Sequence, residues 1–273
     1  MNCKAVQDTI VDWLKNKLEE SGQTGFVVGV SGGVDSALVS TLCALTKKPL
    51  WLLSMPIYQA PDQVKRADDH MAWLSERGFV TIHNIDLTTP FEAIQKSFPE
   101  FVGKDPLAMV NTRSRLRMVT LYAFAGAYQL LVAGTGNLVE DYGIGFFTKY
   151  GDGGVDLSPI GSLSKTQVWE LAKFVGVSDE IVQAKPTDGL WSDNRGDEDA
   201  IGATYPELEW AMAECETKGI NPQRSLGIGE GWTFSGNYSE RQKHVLKIYL
   251  QRHTQNKHKL TPIPICPIPS VLL

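Results

Sequence analysis

The stretch Gly25-Phe26-Val27-Val28-Gly29-Val30-Ser31-Gly32-Gly33-Val34-Asp35-Ser36 decides how the chain folds. Its first half is a short, valine-rich apolar run, which predicts a buried strand over Gly25–Val30. Two adjacent glycines follow, and a helical apolar pattern resumes from Ser36 to Leu45. A glycine turn between a buried strand and a helix sits at the carboxyl end of a parallel sheet. Its backbone N–H groups can curl around an anion, and the positive end of the following helix dipole adds to the attraction. Ser31 and Ser36 bring hydroxyl donors. Asp35 would repel a phosphate, so a carboxylate there makes sense as a ligand for Mg²⁺. The alternative is a glycine turn with polar caps. Neither the Gly-Lys-Ser/Thr ending of a Walker loop nor the Gly-x-Gly-x-x-Gly dinucleotide fingerprint is present here.

Outward from this turn the pattern alternates. Val6, Ile10, Trp13, Leu14 and Leu18 recur at helical spacing ahead of it. After it come a strand over Leu50–Met55, a helix over Asp62–Arg77 with Pro61 suited to its first turn, and a strand over Phe79–Ile85. Asp105-Pro106 reads as an N-cap followed by a first-turn proline, opening a long helix to Gln129, and Leu130–Ala133 reads as a fourth strand. This predicts an α/β fold: a doubly wound, Rossmann-like parallel sheet with helices on both faces and right-handed crossovers, in one domain over 1–273. Gly134–Ile160 and Lys185–Thr204 break the pattern as long loops, which in a compact domain are usually functional or mobile.

Composition sets limits. The chain has 273 residues, a formal net charge of -5 and 42% hydrophobic residues. That is enough for one large core. No apolar run is long enough for a transmembrane helix, and the charged N-terminus does not read as a signal peptide, so a cytoplasmic protein is expected. Cys3, Cys43, Cys215 and Cys266 are scattered, which argues against a zinc site. The mild acidity argues against nucleic acid as a partner; the nearest basic cluster is Arg113, Arg115 and Arg117.

Ser31 to Ser36 resembles the signature of the N-type ATP pyrophosphatases, a superfamily of adenine nucleotide alpha hydrolase-like fold. Its members cleave ATP between the α- and β-phosphates and adenylate a substrate. They include NAD synthetase, GMP synthetase, asparagine synthetase, argininosuccinate synthase and tRNA-modifying thiolases, and the six residues alone do not choose among them. Later segments do. Asn111 to Met118, Gly134-Thr135-Gly136-Asn137 to Glu140, and Phe146-Phe147-Thr148-Lys149-Tyr150-Gly151-Asp152-Gly153-Gly154-Val155-Asp156 resemble the ammonia-dependent NAD synthetase family. Lys165, Pro186-Thr187-Asp188-Gly189-Leu190 and His258-Lys259 follow in family order. The chain departs from the commonest pattern at Val34 (often Gln), at Asn137 (often His), and by one extra residue between Glu140 and Phe146.

The resemblance implies that ATP adenylates the nicotinate carboxylate of deamido-NAD and that ammonia then displaces AMP to give NAD. It implies ATP contacts at Gly29, Val30, Ser31, Gly32, Gly33, Val34, Asp35, Ser36, Thr135, Lys165 and Thr187, with Asp35 and Glu140 as Mg²⁺ ligands and Asp35, Glu140 and Lys165 as the catalytic set. Arg115, Lys149, Asp156, His258 and Lys259 match positions that hold deamido-NAD. Blander readings stand beside these: a solvated loop carboxylate for Glu140, turn residues for Thr135 and Thr187, core packing for Phe146 and Phe147, a solvated helix face for Arg113 and Arg117. Lys165 opens the helical run Lys165–Val175, where its charge opposes the helix dipole. That points to a nearby anion, the alternative being a surface lysine. Lys185–Thr204 is a candidate lid.

Two further expectations follow. Glutamine-dependent members carry a glutaminase domain, whereas this chain opens its synthetase region about one helix from Met1 and Cys3 is not a terminal nucleophile; ammonia is therefore the expected nitrogen source. The long helix carries apolar residues on more than one face, among them Leu107, Met109, Leu116, Val119 and Phe124. Their surplus predicts a homodimer, as in the family, unless other helices of the same chain cover it. The rival functions are another adenylating ligase, such as a GMP synthetase-type domain, and a nucleotide sensor without turnover.

Overall fold

A computed structural model describes residues 1–186, 196–218 and 237–270. In chain order these form α1 (Cys3–Ser21), β1 (Gly25–Gly29), α2 (Val34–Leu45), β2 (Leu50–Ser54), α3 (Pro61–Ser75), β3 (Val80–Asn84), α4 (Thr88–Ser97), α5 (Glu100–Gly103), α6 (Pro106–Tyr128), β4 (Leu130–Val132), a π-helix (Leu138–Ile144), α7 (Lys165–Val175), α8 (Asp179–Val182), α9 (Asp197–Ile201), α10 (Tyr205–Thr217) and α11 (Glu240–Leu260).

The strands form one parallel sheet in the order β3-β2-β1-β4. Both faces are covered, as the continuous apolar runs of β1 and β2 require. Phe26, Val28, Leu50 and Leu52 pack on one side against α1, α2, α3 and α7, through residues such as Leu14, Leu38, Met71 and Leu171. Val27, Leu53, Leu130 and Val132 pack on the other against Phe91 of α4 and Met109 and Ala125 of α6. A further apolar cluster joins the π-helix to α10 and α11 around Tyr205, Leu208, Leu246 and Leu250.

The expected elements are present, with ends shifted for identifiable reasons. Phe79 takes a left-handed backbone (φ 62), so β3 starts at Val80. Gln129 takes the left-handed C-cap position that stops α6 at Tyr128. The Asp105 side chain accepts from Ala108 N at 2.7 Å, with Pro106 next to it in the first turn, as the sequence predicts. Gly134–Ile160 is not wholly a loop, because its centre is the π-helix. There the Gly145 amide bonds to the Glu140 carbonyl five residues back. Among the described residues no helix is long and apolar enough to cross a membrane.

Candidate active site

β2 and β3 extend the sheet on one side of β1, while β4 adds on the other. The chain therefore reverses direction across the sheet between β1 and β4, and the crevice beyond their carboxyl ends is where open parallel sheets take ligands. A cavity of about 290 Å³ lies there. Gly29 to Ser36 line it, with Thr135, Glu140 and Lys165. Every described position expected to contact ATP thus reaches one cavity. Thr187 lies outside the described residues, as does the 187–195 part of the expected lid; Lys185, Pro186 and Asp197, on either side of it, line the cavity.

Gly32 makes the turn possible. Its φ is +85, and a Cβ there would stand 2.4 Å from the Gln63 carbonyl oxygen of α3. Ser36 differs from expectation, because its hydroxyl is buried and donates to the Gly33 carbonyl at 3.0 Å. It fixes the turn, while Ser31, 3.1 Å away, is the more exposed hydroxyl.

Asp35 lies in the first turn of α2, where the helix dipole favours a carboxylate. Lys165 is the first residue of α7, held by a cap in which Ser164 N donates to Gln167 Oε1 at 2.9 Å. Its Nζ donates to Asp35 Oδ2 at 2.6 Å and to Glu140 Oε1 at 2.8 Å, with only 3% of the side chain exposed. The anions that Lys165 faces are therefore the protein's own carboxylates, and it is not a surface lysine. Asn137 Nδ2 donates to Asp35 Oδ1 at 3.2 Å, and its Oδ1 caps the π-helix at Val139 N and Glu140 N. The Tyr205 hydroxyl, buried in α10, donates to Glu140 and lies 3.3 Å from Asp197 Oδ2.

Burial raises the Asp35 carboxyl above its ordinary range, and Glu140 pushes the same way against the pull of Lys165. Burial also opposes ionisation of Glu140, but there the Lys165 charge and the bonds from Lys165 and Tyr205 win, so Glu140 is held low. For Lys165 the two carboxylates outweigh burial and hold it charged. Asp141 and Asp152 also line the cavity. Burial lifts both, and for Asp141 the neighbouring Asp152, Glu140 and Asp35 add to the lift.

Arg117 is not on a solvated face. Its Nε donates to the Met55 carbonyl and an Nη to Gln59 Oε1, both at 2.9 Å, and it lines the cavity with Arg66. Phe146 lines the cavity while packing on the α10–α11 cluster; Phe147 lies under the Lys259 ammonium, 5.1 Å away.

The residues matched to deamido-NAD binding lie outside this cavity. Four of them meet in a second patch. Arg115 Nε donates to the Lys149 carbonyl at 3.4 Å, and Lys149 Nζ donates to the His258 carbonyl at 2.9 Å. Lys259 Nζ donates to the carbonyls of Gly145 and Phe147 at 2.8 and 2.7 Å, which ties the end of α11 to the π-helix. Asp156 stands apart, at the edge of β4: it accepts from Val132 N at 2.8 Å and from the Tyr122 hydroxyl at 3.0 Å.

Sequence reasoning missed Asn137, Tyr205, Asp141 and Asp197 as neighbours of the carboxylate pair. For Asn137 there was a signal, since it follows the Gly134-Thr135-Gly136 turn at a strand end. Tyr205 sits 65 positions from the Glu140 it touches, and nothing local marks it.

Comparison with known proteins identifies the family. The family model for NAD synthase matches residues 6–260. The chain is 35% identical over 269 residues to the NH(3)-dependent NAD(+) synthetase of Carboxydothermus hydrogenoformans, covering 97% of this chain and 99% of that one. It is 41% identical over 213 residues to the enzyme of the same name from Mycoplasmopsis pulmonis, covering 76% and 79%. Among solved structures, the NMN synthetase from Francisella tularensis superposes with a TM-score of 0.78 at 28% identity, covering 98% of this chain and 99% of that one. With the family model matched over residues 6–260 and a relative 35% identical over 269 residues, this chain belongs to the NAD synthase family.

Proposed function

We propose that this protein uses ATP to amidate deamido-NAD with ammonia, through an adenylated intermediate, releasing NAD, AMP and pyrophosphate. The observation that carries the reading is the convergence of the Ser31–Ser36 turn, Asp35, Glu140 and Lys165 in one crevice at the sheet's switch point.

A carboxylate is a poor electrophile, and adenylation gives it AMP as a leaving group. The Ser31–Ser36 backbone and the start of α2 would hold phosphate oxygens, and Lys165 would meet the charge that develops on departing pyrophosphate. Asp35 and Glu140 fit Mg²⁺, because one cation, the Lys165 ammonium, already bonds to both, and phosphate oxygens and water would complete the coordination. When bound, the metal supplies further charge neutralisation on the triphosphate. The patch of Arg115, Lys149, His258 and Lys259 is the proposed hold on deamido-NAD, whose pyrophosphate calls for cationic partners.

The test is a product assay with Mg²⁺-ATP, ammonium and a panel of deamido-NAD, nicotinate mononucleotide and xanthosine monophosphate. NAD, AMP and pyrophosphate should form from deamido-NAD. The mononucleotide belongs in the panel because of the Francisella NMN synthetase, and preference for it would move the substrate assignment. ADP in place of AMP would defeat the reading altogether. Glutamine in place of ammonium should support little turnover.

The working unit proposed is a homodimer through α6. Only Met109, Ser114 and Ala125 of this 23-residue helix are buried within the chain, while Leu107 and Val119 are 61% and 57% exposed. A twofold contact would cover that surplus and bring the neighbouring Arg115 to the interface. Sedimentation at micromolar concentration should give twice the chain mass, and Val119→Glu should shift it towards monomer. A fully active monomer would rule the dimer out.

A further inference from the structure

The geometry of Lys165 reaches beyond holding phosphate. Its Nζ stands between Asp35 Oδ2 and Glu140 Oε1, at 2.6 and 2.8 Å. The remaining Asp35 oxygen accepts from Asn137, and Tyr205 adds a second donor to Glu140 Oε1. The carboxylate pair therefore has an internal counter-ion with most of its bonding already satisfied. A free divalent ion placed between the two carboxylates would meet an ammonium at the point of strongest attraction, and would have to displace it before bridging Asp35 Oδ2 and Glu140 Oε1. The arginines of the cavity are committed elsewhere, Arg66 to Asp62 and the Gly32 carbonyl, Arg117 to Met55 and Gln59. Lys165 differs from them in kind as well as in partner: a compact charge on a flexible stem, with three donors that can rotate to a new anion, whereas a guanidinium is a rigid fork.

We propose that Lys165 closes the Asp35–Glu140 pair to free divalent metal, and that nucleotide phosphate opens it by drawing the ammonium away, so that metal enters with nucleotide and not before it. This rests on the reading of Asp35 and Glu140 as metal ligands. Because α7 is anchored at its cap, only the lysine side chain has to move. The coupling is reciprocal: nucleotide tightens metal binding by the same factor as metal tightens nucleotide binding.

The test is equilibrium titration of Mn²⁺, read from the EPR signal of the free ion and corrected for metal held by nucleotide in solution. The wild-type protein is titrated with and without α,β-methylene-ATP, which cannot be cleaved at the reacting bond. Wild type should bind Mn²⁺ weakly alone and at least about tenfold more tightly with the analogue. Lys165→Met should bind Mn²⁺ without nucleotide at least about tenfold more tightly than wild type, since metal now relieves two carboxylates left without a counter-ion. Lys173→Met, an exposed lysine of the same helix, should behave as wild type. Equal Mn²⁺ affinity of wild type and Lys165→Met, weaker binding by the variant, or no binding in any arm overturns the proposal. Should Lys165→Met fail to fold, wild-type affinity unchanged by the analogue overturns it alone. NAD formation by wild type with Mg²⁺, measured in parallel, separates failure of this device from failure of the functional reading.

Discussion

Asp35→Asn should lower the rate of NAD formation by about 10²–10³-fold, the usual cost of losing one preorganised electrostatic contact in a transition state. The expected loss is in turnover and not in folding, for reasons visible in the contacts. Asparagine has nearly the same shape, and its one amide oxygen can still accept from Lys165 Nζ, now 2.6 Å from Asp35 Oδ2, at the cost of the longer 3.2 Å bond from Asn137 Nδ2. Lys165 keeps its bond to Glu140 at 2.8 Å, so its charge is not left without a partner. Burial already opposes ionisation of Asp35, so a neutral side chain removes a desolvation cost along with an attraction. Glu140→Gln should cost a similar factor in rate. The two assays that decide are turnover at saturating Mg²⁺-ATP and the thermal unfolding midpoint. Normal turnover in Asp35→Asn would remove the carboxylate from its role. A collapse of the midpoint would make Asp35 a folding residue.

What could be read from the sequence divides by how local the cause is. Gly25 to Ser36 carries its own explanation: an apolar run, a pair of glycines and a helix start are neighbours in the chain, and the structure puts them where the reading placed them. The same holds for Asp105-Pro106 at the head of α6. Glu140 has no local mark of that kind, and Lys165 has only the misfit of its charge with the dipole of the helix it opens. Their place in the cavity was expected from family resemblance, and what joins them to Asp35 is tertiary, α7 packing beside α2 and the π-helix bringing Glu140 to the Lys165 ammonium. Tyr205 shows the limit more sharply. It looks like any aromatic residue at a helix start, and it meets Glu140 only because the α10–α11 cluster folds against the π-helix. Two side chains were read for what they carry and proved to be engaged with the backbone. Ser36 spends its hydroxyl on Gly33, and Asp156 accepts from Val132 N at the edge of β4. A sequence shows which groups are present but not which of them the fold has already satisfied.

Gly32→Ala should damage the protein more than any other single methyl added to the Ser31–Ser36 turn. Two costs combine. An alanine at φ +85 occupies the left-handed region that a Cβ disfavours by about 1–2 kcal/mol. That Cβ would also stand 2.4 Å from the Gln63 carbonyl oxygen. Gln63 lies in the first turn of α3, backbone that cannot swing aside as a side chain end could. Together these come to about 2–5 kcal/mol, or roughly 5–15 °C in unfolding midpoint. Part of the strain can be relieved only by moving the turn, which would disturb the bonds from Ser31 N to Ser36 Oγ and from Gly33 N to Ser31 Oγ that hold its shape beside the cavity, so ATP binding should weaken along with stability. Gly33→Ala provides the contrast. Gly33 has an extended backbone (φ -94), and a Cβ there would meet only the Ser31 hydroxyl oxygen at 3.4 Å, an ordinary contact. Its midpoint should stay within about 2 °C of wild type, the scale of an unstrained surface change. If calorimetry of the two variants gave equal losses, backbone strain at Gly32 would not be what shapes the turn, and the case for it as a preformed phosphate cradle would rest on the remaining contacts alone.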